Sequence, residues 1–255
     1  MSGPGLIEME TGVPVRAAFT TRAGGVSTGP LASLNLSADR GDRDEAVREN
    51  RRRLAAALGL DAERVSMARQ VHGALVREVA GDDDRGVFIG GMRGWGEGDG
   101  LVSRQPGRAL VVLGADCLPV LLWRRDVPAA AAAHAGWRGL VGGVLEAAVA
   151  ALGDPARTGA AIGPGVGPCC YPVSAEVRDR FAARFGDGVL APPAIDLVAA
   201  ARRALVMAGI PGSAVQSAGA CTSCDAARFF SHRRDGDVTG RQAGVVVLLE
   251  GEGPR

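Results

Sequence analysis

Cys117 and His134 are the two residues from which this sequence most directly builds a reactive centre. Two apolar runs, residues 118–123 and 129–133, flank the polar stretch Arg124-Arg-Asp-Val127, which reads as a β-hairpin. An antiparallel pairing centred between Arg125 and Asp126 sets Cys117 directly opposite His134, with Cα atoms about 4.5–5.5 Å apart. A slip of one residue would turn one of the two side chains to the other face. Taken singly, each reads as a buried thiol or a hydrogen-bonded core histidine. Together they serve as a nucleophile with its general base or as half of a metal site. His72, in Arg69-Gln-Val-His-Gly73, adds a third donor at a predicted strand end beside a glycine suited to a tight turn. Two imidazoles, one thiolate and an open fourth position suit zinc that activates water. The three residues lie far apart in sequence, so three readings stay open: a zinc enzyme, a metal-free Cys–His hydrolase or amidase, or no site.

The elements that position these residues are mixed. Strands are expected at 15–21, 65–71, 74–79, 109–113, 118–123, 129–133, 160–162, 215–217 and 243–249. The pair 65–71 and 74–79 meets at His72-Gly73. Helices are expected at 44–58, closed by Gly59, and at 139–152, 174–185 and 196–208. Residues 81–100 are rich in Gly and Asp, with Trp95 near the end, and read as a surface loop or lid. Several hairpins interleaved with helices predict an α+β layered fold over one catalytic domain, 1–255, rather than a regular βαβ repeat.

Composition removes several function classes. The net charge is +1, with 29 basic and 28 acidic residues, which gives no electrostatic footprint for nucleic acid or an anionic membrane. No apolar run reaches the eighteen or so residues of a membrane helix, and the first residues lack a signal-peptide pattern. The expectation is a cytoplasmic protein. Every basic residue is Arg, so neither a Schiff-base lysine nor a phosphate-loop lysine exists, and any phosphate must be held by guanidinium groups. The five cysteines form an odd set, more consistent with free thiols or metal ligands than with a disulfide framework. Cys221-Thr-Ser-Cys224 reads as half a zinc ribbon with no second pair to complete it. The adjacency of Cys169 and Cys170 argues against a closed tetrahedron. His232 reads as a polar wall residue and Phe229-Phe230 as core.

A series of segments resembles one family. They are Phe19-Thr-Thr-Arg-Ala-Gly-Gly25, Ser33-Leu-Asn-Leu-Ser37, Arg69-Gln-Val-His-Gly73, Gly98-Asp-Gly-Leu-Val102 and Ala115-Asp-Cys-Leu-Pro-Val120. His134-Ala-Gly-Trp-Arg-Gly139, Ile162-Gly-Pro-Gly165, Cys169-Cys-Tyr171 and Phe229-Phe-Ser-His-Arg-Arg-Asp-Gly236 continue the series. The ordered set resembles the laccase-domain-containing purine nucleoside phosphorylases, also labelled polyphenol oxidase or peptidoglycan editing factor. The resemblance implies a four-layer α/β/β/α sandwich with mixed sheets and flanking helices, and zinc held by His72, Cys117 and His134, with Cu²⁺ as the alternative ion. A multicopper laccase would need more than the three histidines present.

The same resemblance implies small-molecule substrates: phosphorolysis of adenosine, inosine and methylthioadenosine with inorganic phosphate, and deamination of adenosine. Asp116 and Asp99 are the candidate proton shuttles, with Asp99 also a candidate substrate contact. Arg22, beside Gly24-Gly25, and Arg138, beside His134, are the expected phosphate ligands, both pointing into the pocket of the three metal donors. Asn35 is one of two asparagines and is expected to hold ribose or base. Competing readings are the Cys117–His134 hydrolase, whose chemistry matches the similarly folded cytotoxic necrotizing toxins, and editing of a peptidoglycan precursor.

Overall fold

The computed structural model describes residues 3–81, 85–90 and 96–250. Trp95, read as part of a lid, lies outside them. The chain opens with β1 (Leu6–Met9) and β2 (Val15–Thr20), followed by α1 (Asp44–Ala57). Three short strands come next: β3 (Val65–Ser66), β4 (Val76–Glu78) and β5 (Gly100–Ser103). β6 (Ala109–Gly114), β7 (Leu118–Arg124) and β8 (Ala130–Ala135) form the centre of the fold. After them come α2 (Trp137–Gly142), α3 (Val144–Leu152), β9 (Thr158–Ile162) and α4 (Ala175–Phe185). The small hairpin β10 (Leu190–Ala191) and β11 (Ala194–Ile195) precedes α5 (Leu197–Met207). β12 (Val215–Ser217), the one-turn α6 (His232–Asp235) and β13 (Gln242–Leu248) complete the order.

Two mixed sheets result. The first runs β1-β2-β13-β6-β3 and the second β12-β9-β7-β8-β5-β4. In each, the parallel pairs lie at the edges: β3 with β6, β4 with β5, and β12 with β9. Alternation along the strands sorts side chains into three apolar layers. In the second sheet, Leu118, Val120, Leu122, Ala131 and Ala133 face α3 and α5. The intervening Leu121, Trp123, Ala130 and Ala132 meet Phe19, Leu110, Val112 and Val246 of the first sheet. The outer face of the first sheet packs Val111 and Val245 against Leu54 and Leu58 from α1 and the following turn. This is the expected α/β/β/α sandwich. Both faces of both sheets are covered, so the strands read as continuous apolar runs rather than as half-polar alternations.

Three local expectations change. The β7–β8 hairpin pairs Pro119 with His134, so the turn centre lies one residue later than expected and the partner of each residue shifts by two. An even shift keeps every side chain on its face. His134 therefore shares the inter-sheet face of Ala130 and Ala132, as the sequence argument needed, although its direct partner is Pro119. The expected helix at 139–152 is two helices, because Gly143 adopts φ +88° and ends α2 before α3 begins. The expected strand pair at 65–71 and 74–79 does not form, since β3 joins the first sheet and β4 the second. The turn bearing His72 therefore bridges the two sheets. Among the described residues no helix is long and apolar enough to cross a membrane.

Candidate active site

His134 is buried near the end of β8, facing the layer between the sheets. Cys117 lies in the turn from β6 to β7, and His72 in the connection from β3 to β4. Their nitrogen and sulfur donors all lie within 4.8 Å of one another. The imidazole rings meet edge-on, with centroids 4.9 Å apart at 82°. Gly136 makes this convergence possible: a Cβ there would stand 2.8 Å from the Cys117 Sγ and 3.4 Å from His72 Cδ2.

One carboxylate organises the group. Asp99, fully buried just before β5, accepts from the backbone amides of Val71 (3.1 Å), His72 (2.9 Å) and Gly73 (2.7 Å). It also accepts from His134 Nδ1 at 2.9 Å, and its carbonyl accepts from the His134 amide at 2.7 Å. The three-amide cradle holds His72 at φ +61°, a left-handed conformation that costs roughly 1–2 kcal/mol outside glycine. The His134 bond leaves Nε2 to face the Cys117 side, the arrangement of a carboxylate–histidine–metal relay. Gln70 pins the same turn to β6, its amide pairing in both directions with the Leu113 backbone at 2.8 Å. Burial would raise the Asp99 pKa, but hydrogen bonds from His134 and from the Gly73 and Val71 amides hold it below the usual carboxylate range. Asp99→Asn cannot accept all four of these donors. We expect it to weaken metal affinity about 10–100-fold, read by chelator competition; unchanged affinity would remove Asp99 from this role.

The donor set fits a metal ion in type and geometry. Three convergent N, N and S donors beside a cleft could hold a metal ion and leave a coordination position open. In the metal-free protein the same groups form an ion pair. Burial raises the Cys117 thiol, but the positive charge and hydrogen bond of His134 outweigh it and bring the thiol down to about 6. Burial disfavours a charged His134, but the Cys117 thiolate and the Asp99 bond prevail and raise it. A lowered thiol pKa places the thiolate on the alkaline side of that value. Alkylation of Cys117 in chelator-treated protein should therefore reach half its maximal rate near pH 6 and fall below it. A midpoint close to the ordinary thiol value of about 8.5 would show that the pair does not form.

The centre opens into a cleft of about 630 Å³ whose wall includes Arg40, Arg51, Arg69, Arg138, Arg233 and Arg241 alongside only two aspartates, Asp39 and Asp116. Arg138 is there as expected, stacked 4.5 Å from the Trp137 ring, with no hydrogen bond to protein among the described residues. Arg22 is not. Its guanidinium lies over Phe230 and donates to the carbonyls of Ala32 (2.8 Å) and Ala226 (3.1 Å), where it ties two loops together. Asn35 is fully buried and bonded to Ser37, Asp42 and the Arg241 amide, so it shapes the wall and does not reach the cleft. Asp99 likewise serves the ligands and leaves no face for substrate.

Asp116 lines the cleft, at φ +94°, yet its carboxylate is committed. It accepts from Thr222 Oγ1 at 2.6 Å, Ser231 Oγ at 2.7 Å and the Arg233 amide at 2.6 Å. These bonds make it a tether between segments rather than a free acid or base. His232 stands in the wall outside the metal group, its Nδ1 bonded to the Gly236 carbonyl at 3.0 Å. Phe229 and Phe230 are fully buried.

The sequence reading missed Arg241, Arg40, Arg233 and Tyr171. Arg241 is pushed down to about 10 by burial and by the charge of neighbouring Arg40, which leaves it protonated at neutral pH. Tyr171, the one tyrosine in the chain, lies beneath Arg233 at 5.0 Å. Burial and the Cys117 charge push its hydroxyl up to about 12. Its uniqueness in a quoted segment was an available signal; the arginines, among 29 basic residues, carried none.

Comparison with known proteins matches residues 16–249 to the family described as multi-copper polyphenol oxidoreductase laccase. The purine nucleoside phosphorylase of Pseudomonas aeruginosa is 42% identical over 92% of this chain and 94% of its own. That of Deinococcus radiodurans is 40% identical over 99% and 97%. The crystal structure of the Bacillus licheniformis hypothetical protein YfiH superposes with a TM-score of 0.89 at 32% identity, covering 97% of each chain. With the model match over residues 16–249, the relatives matched over most of their length and the shared fold in agreement, the chain belongs to this laccase-like family, and the relatives it matches include proteins named purine nucleoside phosphorylase.

Proposed function

We propose that the protein is a metal-dependent purine nucleoside enzyme, using phosphate to cleave adenosine, inosine and methylthioadenosine and also deaminating adenosine. The observation that carries this reading is the joining of the His72–Cys117–His134 group to an arginine-lined cleft in one cavity. The names of the relatives support the substrate class. Three histidines in the whole chain cannot furnish multicopper centres, so the copper in the family description is not carried over. Zinc, when bound by the three donors, supplies Lewis acidity.

The chain's own groups account for the rest of phosphorolysis. Arg241 and Arg40 line the same wall and feel each other's charge, with Asp39 beside them, and are suited to hold an anion such as phosphate. Arg138 and Arg233 can hold the nucleoside from the rim. A phosphate oxygen bonds to C1′ as the C1′–N9 bond breaks, and the bonding pair passes to the purine, which takes up a proton. Tyr171 stays protonated through neutral pH and can donate a hydrogen bond to the departing base.

The decisive assay follows base release from inosine with and without phosphate, and ammonia release from adenosine. Base release should require phosphate. Arg241→Met should lower kcat/KM for phosphorolysis about 10–150-fold, the worth of one charged hydrogen bond, and raise the phosphate KM. Base release that ignores phosphate would overturn the phosphorolytic reading. One observation favours a second reading: Cys117, His134 and Asp99 form a connected nucleophile–base–carboxylate series. His72, a third donor at the same sulfur, has no part in that alternative.

A further inference from the structure

Four of the five cysteines have no place in the cleft, yet the fold brings them together. The Sγ atoms of Cys169, Cys170, Cys221 and Cys224 all lie within 4.8 Å of one another. Cys169 stands 3.7 Å from Cys221 and 3.5 Å from Cys224, and Cys170 stands 3.4 Å from Cys224. None of the four lines the cleft. All are free thiols, at separations far beyond a disulfide bond of about 2.05 Å. They are close instead to the edge of a tetrahedron with metal–sulfur bonds of 2.3 Å, which is roughly 3.8 Å. The adjacency of Cys169 and Cys170, which argued against a closed site, is no obstacle. The turn at 167–170, closed by the Cys170 amide on the Gly167 carbonyl at 3.0 Å, aims both sulfurs at Cys224.

Packing does not explain the cluster. Cys169 and Cys224 are exposed, so a role as small core hydrophobes is unavailable to them. The surrounding backbone is built around the sulfurs. The Gly167 amide donates to Cys221 Sγ at 3.2 Å, a bond that favours thiolate. A Cβ at Gly167 would stand 3.3 Å from Cys169 Sγ. The two loops follow the parallel strands β9 and β12 and are already in register: the Thr222 amide donates to the Gly165 carbonyl at 2.9 Å. Arg234 holds the carbonyls of Thr222 and Ser223 at 2.8 and 3.2 Å, which places positive charge beside the loop.

We propose that Cys169, Cys170, Cys221 and Cys224 form a closed, structural tetrathiolate zinc site, separate from the cleft. Its ion clamps the loop that carries Tyr171 to the loop whose Thr222 holds Asp116. The site therefore fixes the cleft wall from behind.

Metal analysis of protein purified with a thiol reductant and without chelator tests this. Wild type should carry two zinc ions per chain. Cys221→Ser/Cys224→Ser should carry one, and His72→Ala/His134→Ala should also carry one. The latter variant keeps the cluster intact and decides the question even if the cysteine variant does not fold. Its zinc should be released by a mercurial, and cobalt in its place should give the intense thiolate charge-transfer band of a tetrahedral sulfur site. A His72→Ala/His134→Ala protein that folds without zinc, with all its thiols titrating freely, would overturn the proposal. So would a disulfide within the cluster in place of metal. Both outcomes concern this site alone and leave the reading of the cleft to its own assay.

Discussion

Replacing His72 with alanine is expected to remove about one zinc ion per chain and nearly all nucleoside turnover together. Structural zinc sites bind with apparent free energies of about 10–16 kcal/mol spread over four ligands. One ligand is therefore worth about 3 kcal/mol, or ~10²–10³ in affinity. The backbone of the turn should survive, because the amides on Asp99 belong to residues 71–73 whatever side chain residue 72 bears. Cys117→Ala does not discriminate in the same way, since both a zinc enzyme and a cysteine hydrolase lose it. His72→Ala does. A protein that has lost this zinc and still turns over nucleosides, with Cys117 open to alkylation, would make the Cys117–His134–Asp99 series the catalytic apparatus and discard the metal.

Removing the Asp116 carboxylate should produce the largest loss of stability. Asp116→Ala strands the Thr222 and Ser231 hydroxyls and the Arg233 amide, all of which now donate to it. Hydrogen bonds to a charged acceptor contribute about 1.5–3 kcal/mol each, and partial relaxation leaves an expected loss of about 3–5 kcal/mol. In a chain of this size that corresponds to a fall in Tm of about 6–20 °C. Thermal unfolding of the metal-loaded protein would measure it, and a Tm within about 2 °C of wild type would refute the tether. Asp116→Asn separates tether from proton shuttle: a lower Tm with kcat retained leaves Asp116 no direct part in proton transfer.

The pairing of Cys117 with His134 was legible in the sequence for a physical reason. Side chains alternate along a strand, so a hairpin argument survives an error of two residues in register, and the true pairing of His134 with Pro119 differs by just that. The mixed, layered α+β character was legible because the strands are apolar on both faces, whereas the four-layer sandwich followed only from the family resemblance. β1 and β5 were missed: Leu6–Met9 is only four residues long and interrupted by Glu8, and Gly100–Ser103 emerges from a run of Gly and Asp that reads as loop. Polar residues in quoted motifs were the least legible. Arg22, Asn35 and Asp99 all occur in those segments, yet each spends its hydrogen bonds on backbone or on another side chain. A motif marks where the chain is constrained, and only coordinates distinguish a group that meets a ligand from one that holds a loop. The four-cysteine cluster was hidden because strand pairing between β9 and β12, not sequence spacing, assembles it.

The left-handed turn at His72 also sets two selective pressures against each other. Glycine at this position would relieve the backbone and, by that measure alone, give a firmer protein by about 1 kcal/mol. Any search for variants scored only on thermal resistance will thus be drawn towards discarding the His72 imidazole. Screens for a hardier form of this protein should hold residues 72, 99 and 134 fixed, because the Asp99 cradle is where folding stability has been exchanged for a poised imidazole.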